Sequence, residues 1–270
     1  MNLIEITDLI NVFIEDNGNS KVPLRLKMHI INSALSQIAT RIDEQGQDLF
    51  EVITTMTPST DGVSLPVDFV SVRDLSYNGT PIEIIAPPQR HNFDATSGSW
   101  SGGWTGLYFA YLRGNKIYFS SSLTADVDFV YTRRLPKLHR GIPQAVGATT
   151  ITLATEALIG TVETSDDYYN NATIIIVSGN GIHDEQVIMD YVGSTKVATV
   201  AGWSGTTPDT DSIYEIKCEL PQTPDFHTIL CEIVASKFAP KNKSLGLAYN
   251  ELETLLGQVQ RNEQNPGMII

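Results

Sequence analysis

The strongest constraint in this chain is a strand that stops short of its helix. The alternating segment Asp126-Val127-Asp128-Phe129-Val130-Tyr131 runs into Thr132-Arg133-Arg134-Leu135-Pro136-Lys137-Leu138, but the helix opened by Pro221-Gln222-Thr223-Pro224-Asp225-Phe226-His227 comes only after residue 220. Leu135-Pro136 and Leu220-Pro221 bracket the gap with extended stretches, because a residue before proline is held out of the helical region. The residues between have their own strand and turn punctuation. We read 141–217 as an inserted domain, with 1–140 plus 218–270 as the main body.

Charge supports the division. From Gly141 to Lys217 ten acids stand against two bases, Lys196 and Lys217, a net of −8 out of the chain's −13. Such a surface repels DNA, and the chain as a whole lacks the basic face of a general nucleic-acid binder. Short runs at 149–153, 173–177, 185–191, 196–201 and 212–216 read as strands. Turns at Ser178-Gly179-Asn180-Gly181 and Gly193-Ser194 divide them, which suggests a compact all-β module.

The main body opens with two helices. Ile6, Leu9, Ile10 and Phe13 recur at helical spacing over 3–15, and Asp16-Asn17-Gly18-Asn19 stops them. Pro23 suits the first turn of a longer helix with the stripe Leu24, Met28, Ile31, Leu35, Ile38 and Ile42, which needs a partner to cover it. From Phe50 to Tyr131 the period is that of strands, with hairpin turns at Asn78-Gly79 and at Arg113-Gly114-Asn115-Lys116. Val127, Phe129 and Tyr131 share one face of their strand, and Asp126 and Asp128 the other. Between the hairpins lies a Gly/Ser-rich loop, 95–106, that carries Trp100 and Trp104. Loops of that length are uncommon unless they bind something, so these indoles are candidate subunit contacts. Helices close the chain, first over 225–238 and then with Leu245, Ala248, Leu252, Leu255 and Val259. Pro266-Gly267-Met268-Ile269-Ile270 ends it.

Catalytic patterns are absent from the sequence. It holds no phosphate-binding glycine loop with a lysine, no HExxH helix and no GxSxG elbow, so we expect no enzyme and no cofactor. Cys218 and Cys231 read as reduced, packed thiols, and the five histidines as packed or solvated. Asp166-Asp167, Asp184-Glu185 and Asp209 with Asp211 read as turn carboxylates, since none has the spacing of a calcium loop. The basic run Arg133, Arg134, Lys137, His139 and Arg140 is expected to pair with acids of a neighbouring domain or subunit. No apolar run spans a bilayer and no signal peptide is evident, so a chain made and kept in solution is expected, with no membrane partner.

With 141–217 set aside, the order is a helix pair, "LPVDF", "NGTPIE", a variable loop, "LYFAYLRGNKIYFS", "VDFVYTRRLPKL" and "PDFHTILCEIVASKFAP" before a last helix. This resembles the head-to-tail adaptor, or connector, proteins of tailed bacteriophages. Residues 166–216, with "DDYYNNATIIIVSGNG" and "IMDYVGSTKVATV", look like a β-module recurrent in phage structural proteins. The resemblance implies an α+β fold: a helical adaptor core, a small β-hairpin sheet and an inserted all-β domain. It also implies a structural virion protein, made in the host cytoplasm and placed at the head-tail junction. There a ring of about twelve copies would sit beneath the portal protein, bind a tail or nozzle protein, and line a channel through which DNA passes without sequence-specific binding; closing such a ring takes heterologous subunit contacts. Leu252, Leu255, Val259, Met268, Ile269 and Ile270 become portal-contact candidates, and Trp100, Trp104, Arg133 and Arg134 subunit-contact candidates. The alternative is a receptor- or carbohydrate-binding virion protein using Trp104 and Trp203 as stacking platforms. A cell-wall hydrolase is the enzymatic rival and lacks a recognisable acid and base pair.

Overall fold

Asn2 begins the first helix for a local chemical reason. Its side chain accepts the Glu5 N–H at 2.9 Å and the Glu5 carboxylate accepts the Asn2 N–H at 2.8 Å, a reciprocal cap that satisfies donors a helix start leaves open. The computed structural model describes residues 2–16, 21–44, 49–86, 108–119, 123, 125–220, 224–238 and 245–264. The chain divides into two compact units, Met1–Gln47 with Leu135–Ile270 and Asp48–Arg134.

The first unit holds the four helices found among the described residues: α1 (Leu3–Phe13), α2 (Leu24–Glu44), α3 (Pro224–Phe238) and α4 (Leu245–Gln264). Helix α3 is buried over most of its surface, through Phe226, Ile229, Leu230, Ile233, Val234 and Ala235. So wide an apolar face needs more than one neighbour, and α3 packs against α1, α2 and α4. The stripe of α2, which on sequence had no evident cover, is covered within the chain: Met28, Ile31, Leu35, Ile38 and Ile42 are all buried. Each such side chain contributes roughly 1.5–3 kcal/mol of burial. The turn between α1 and α2 is held by Asp16, whose carboxylate accepts the Lys21 and Val22 N–H groups and meets Lys27 Nζ at 2.6 Å. Lys27 is wholly buried and also reaches Asn11 Oδ1 at 2.5 Å.

The same unit contains a seven-stranded antiparallel sheet. Its strands are β9 (Arg140–Gly141), β10 (Ala145–Val146), β11 (Thr150–Thr152), β12 (Thr173–Ser178), β13 (Glu185–Val192), β14 (Val197–Val200) and β15 (Ile213–Ile216), in the order β10-β11-β14-β13-β12-β15-β9. The five strands expected from the sequence are β11 to β15, and β9 and β10 are additional two-residue strands. Ile151, Ile174, Ile176, Ile188, Tyr191 and Tyr214 point into one core. This sheet is tied to the helices. Glu215 of β15 is buried, and its Oε1 accepts the Leu3 N–H of α1 at 2.6 Å. The Leu138 N–H donates to Asn32 Oδ1 of α2 at 2.9 Å. Residues 141–217 therefore lie wholly inside the helical unit, while the chain leaves that unit after Gln47 and returns at Leu135.

The second unit contains two four-stranded sheets. One is ordered β1 (Glu51–Met56), β8 (Val127–Arg133), β3 (Phe69–Tyr77), β4 (Thr80–Pro81); the other β2 (Val63–Ser64), β7 (Lys116–Phe119), β6 (Phe109–Arg113), β5 (Glu83–Ile84). Asn78 and Gly79 have φ of 50° and 74°, the left-handed pair that a tight two-residue hairpin demands, and they join β3 to β4. The second expected hairpin joins β6 to β7. Val127, Phe129 and Tyr131 face a core shared with Leu75, Ala110 and Ile117, so both sheets cover one apolar centre. The fold is thus mixed α+β, with fifteen strands against four helices among the described residues. That corrects the expectation of a helical body with one small hairpin sheet, because residues 48–134 are themselves a two-sheet β-unit.

The buried Lys27–Asp16 pair gives a direct test. Replacing Lys27 by Met removes the cation that the buried carboxylate meets, and breaking a buried pair from one side costs about 3–5 kcal/mol. Urea unfolding of Lys27→Met should show a loss of that order. The double variant Asp16→Asn/Lys27→Met should recover part of it.

Candidate interaction surfaces

Among the described residues no group of three or more His, Cys, Asp or Glu could hold a metal ion. Of the acids singled out in the sequence, Glu185 lies in β13 and pairs with Lys217, while Asp184, Asp166 and Asp209 accept hydrogen bonds from turns. Asp184 accepts from Ser204 N–H, Ser204 Oγ, Gly205 N–H and Gln186 Nε2. Burial would raise its pKa, but these donors outweigh burial and hold it below the usual value. Asp166 accepts the Gly193 N–H at 2.8 Å, and Asp209 accepts from Asp211 N–H, Ser212 Oγ and Asn180 Nδ2.

Burial also sets the state of the buried histidines and thiols. His139 is fully buried between Tyr169 and Tyr214, and burial pushes it down to about 3, so its ring is a neutral core aromatic. Burial likewise lowers His227 to about 4. Cys218 and Cys231 are free, buried thiols raised by burial to about 11 and about 12, values at which a thiol is unreactive near neutrality.

Two residues of the basic run meet acids within the chain. Lys137 pairs with Glu163, and Arg140 Nη1 lies 3.7 Å from Glu215 Oε2. Both acids belong to the acidic segment, so these two cations are spent inside the first unit. Arg133 ends β8 half-buried, and Arg134 is exposed with its N–H donated to Asp68 O.

The remaining candidates divide sharply. Leu252 of α4 is fully buried among the helices and Leu255 is half-buried, while Leu256, not singled out from the sequence, is also buried. The side chain of Val259 and all of Met268, Ile269, Ile270, Trp100 and Trp104 lie outside the described residues. Trp203, offered as a sugar-stacking platform, donates its indole N–H to Gly147 O at 2.9 Å and packs on the sheet core. What the sequence reading missed is the outward face of β13, where Val187 and Met189 are 52% and 55% exposed. The signal was present: Val187-Ile188-Met189 is apolar on both faces of a strand, which normally announces burial on both.

With this arrangement of α1, α2, the two-sheet unit and the start of the acidic sheet established, one comparison decides the family. The profile of the SU10 adaptor protein family matches residues 1–177. The chain belongs to that family. The matched span reaches past residue 141 into β12, and it ends before α3 and α4. It agrees with the resemblance to phage head-to-tail adaptors and makes this a phage adaptor component of structural type. No curated protein matches the chain, and no helix of the SU10 adaptor chain described here is long and apolar enough to cross a membrane.

Glu215 supplies a pH test of the link between α1 and β15. Burial lifts its carboxyl above the usual value, against the pull of the Leu3 N–H and of Arg140. The folded chain then holds this proton more tightly than the unfolded chain. Its contribution is full below the unfolded carboxyl's pKa and is lost as pH rises through the folded value. Relative to Glu215→Gln, the unmodified chain should therefore gain stability on acidification from neutrality. A difference that moves the other way in chemical unfolding would show that Arg140 dominates.

Proposed function

We propose that this chain is the head-to-tail adaptor of a tailed phage, forming a ring beneath the portal that joins capsid to tail and lines the DNA exit channel. The observation that carries the reading is the SU10 adaptor match over residues 1–177. The enclosed helical layer around α3 supports it, since it supplies a rigid body on which the portal-contact segment, Leu255, Val259, Met268, Ile269 and Ile270, would be carried. Leu252 would support that segment from within, because its side chain is already buried. Trp100, Trp104, Arg133 and Arg134 would form the contact between copies, and about twelve copies would close the ring through heterologous faces.

With the α2 stripe covered inside the chain, nothing on that helix forces association, so the free protein should be monomeric or weakly associated and should assemble on a portal. Sedimentation of the purified chain with and without portal rings tests this. A tight dimer indifferent to portal would count against it.

The C-terminal segment is the second test. Deleting residues 264–270 should leave the melting temperature nearly unchanged while reducing attachment to capsids, as a short apolar tail that grips a partner would. Attachment at the level of the full chain would remove these residues from the portal contact.

A further inference from the structure

The outward face of β13 is apolar and exposed. Residues Ile188 and Tyr191 both point into the core, although they are three apart, because the pairing of β13 with β14 shifts register between Ile188 and Asp190. This bulge turns Met189 and Asp190 both to solvent, and bulges commonly serve to re-aim a side chain. On that face Val187, Met189 and Val192 are 52%, 55% and 38% exposed, and Val192 stands beside Val197 of β14. The result is an apolar strip along one strand.

Acids mark its length. Glu185 opens the strand, Asp190 lies in the middle, and Asp166 is fixed at the far end by the Gly193 N–H. Lys217 pairs with Glu185 at 2.6 Å and offsets that end of the strip, and Lys196 donates to Thr155 O, which leaves Asp190 as the acid within it. The segment's own residues sum to −8, offset in part by Lys137 and Arg140, which pair with its Glu163 and Glu215. That charge disfavours several occupants. A second copy presenting the same face would set two acidic surfaces against each other, and DNA or an anionic bilayer would be repelled in the same way. Like charge at an interface is a strong discriminator, and opposite charge steers a partner in.

We infer that the outward face of β13 docks a segment of a different protein, an apolar strand flanked by lysine or arginine. The inference goes beyond the adaptor reading and does not require it, since the isolated chain carries the whole face.

The probe is a short fluorescent peptide alternating Val and Lys, compared with Val/Glu and Ser/Lys peptides of the same length, with binding read by anisotropy. The Val/Lys peptide should bind, more weakly as salt screens the charges, and the other two should not. The double variant Val187→Ser/Met189→Ser, confined to exposed positions, should weaken binding by about tenfold or more. Asp190→Asn should weaken it less, and Val12→Ser, at an exposed site on α1, should leave it unchanged. No binding of Val/Lys, equal binding of Ser/Lys, binding of Val/Glu, indifference to the double variant, or self-association abolished by that variant would each overturn the inference.

Discussion

Enclosing α3 is the constraint from which the rest of this architecture follows. Phe226, Leu230, Ile233 and Val234 bury one wide face of this helix, and Cys231 and Ala235 carry the burial beyond it. So much apolar surface needs several neighbours, and the chain supplies α1 and α2 from its beginning and α4 from its end. Both ends of the sequence must therefore meet in one unit, and whatever lies between them must leave and return. Residues 48–134 do so as a separate compact unit, and 140–216 do so as a sheet inside the helical unit. The cost of closing such excursions grows only slowly with their length, so a long β-segment between two helices is thermodynamically tolerable.

Electrostatics then fixes details that apolar packing leaves open. Burial is indifferent to direction, whereas a buried charge is not. Lys27 with Asp16 sets how α1 turns into α2, and Glu215, receiving the Leu3 N–H at the start of α1, sets where the sheet meets the helices. The positive end of a helix is a favourable place for a carboxylate. Even so, desolvation leaves Glu215 with a raised pKa, so this contact is better understood as specifying position than as adding stability.

These facts explain what was legible beforehand. Local rules are short-range, and short-range features read well: the capped and proline-started helices, the Asn78-Gly79 turn, the Gly114 hairpin and the strands β11 to β15 all appear where their residues announce them. Long-range pairings do not read. Nothing near Leu3 in sequence points to Glu215, and nothing in the α2 stripe says that α3 will cover it. The punctuation at Leu135-Pro136 and Leu220-Pro221 is real, but proline stiffness marks a bend and carries no information about which surface the next segment meets. The candidate contacts suffered most, because Leu252 has the same apolar character whether it faces a partner or its own helices, and only the packing distinguishes them.

The uneven charge bears on how the acidic sheet would be used in the proposed ring. A channel for DNA wants surfaces that do not grip phosphates, and a net of −8 on one segment would serve that purpose. An apolar strip would not, since Val187 and Met189 left facing the channel would stay in water with no area buried. The two demands separate the sheet by face. In that ring, carboxylates away from β13 would repel DNA, whereas those beside it stand near exposed aliphatic side chains and would bear on which protein approaches. The bulge at Met189 and Asp190 places one residue of each kind side by side on that face, and a surface meant only to stay clear of DNA has no use for the methionine.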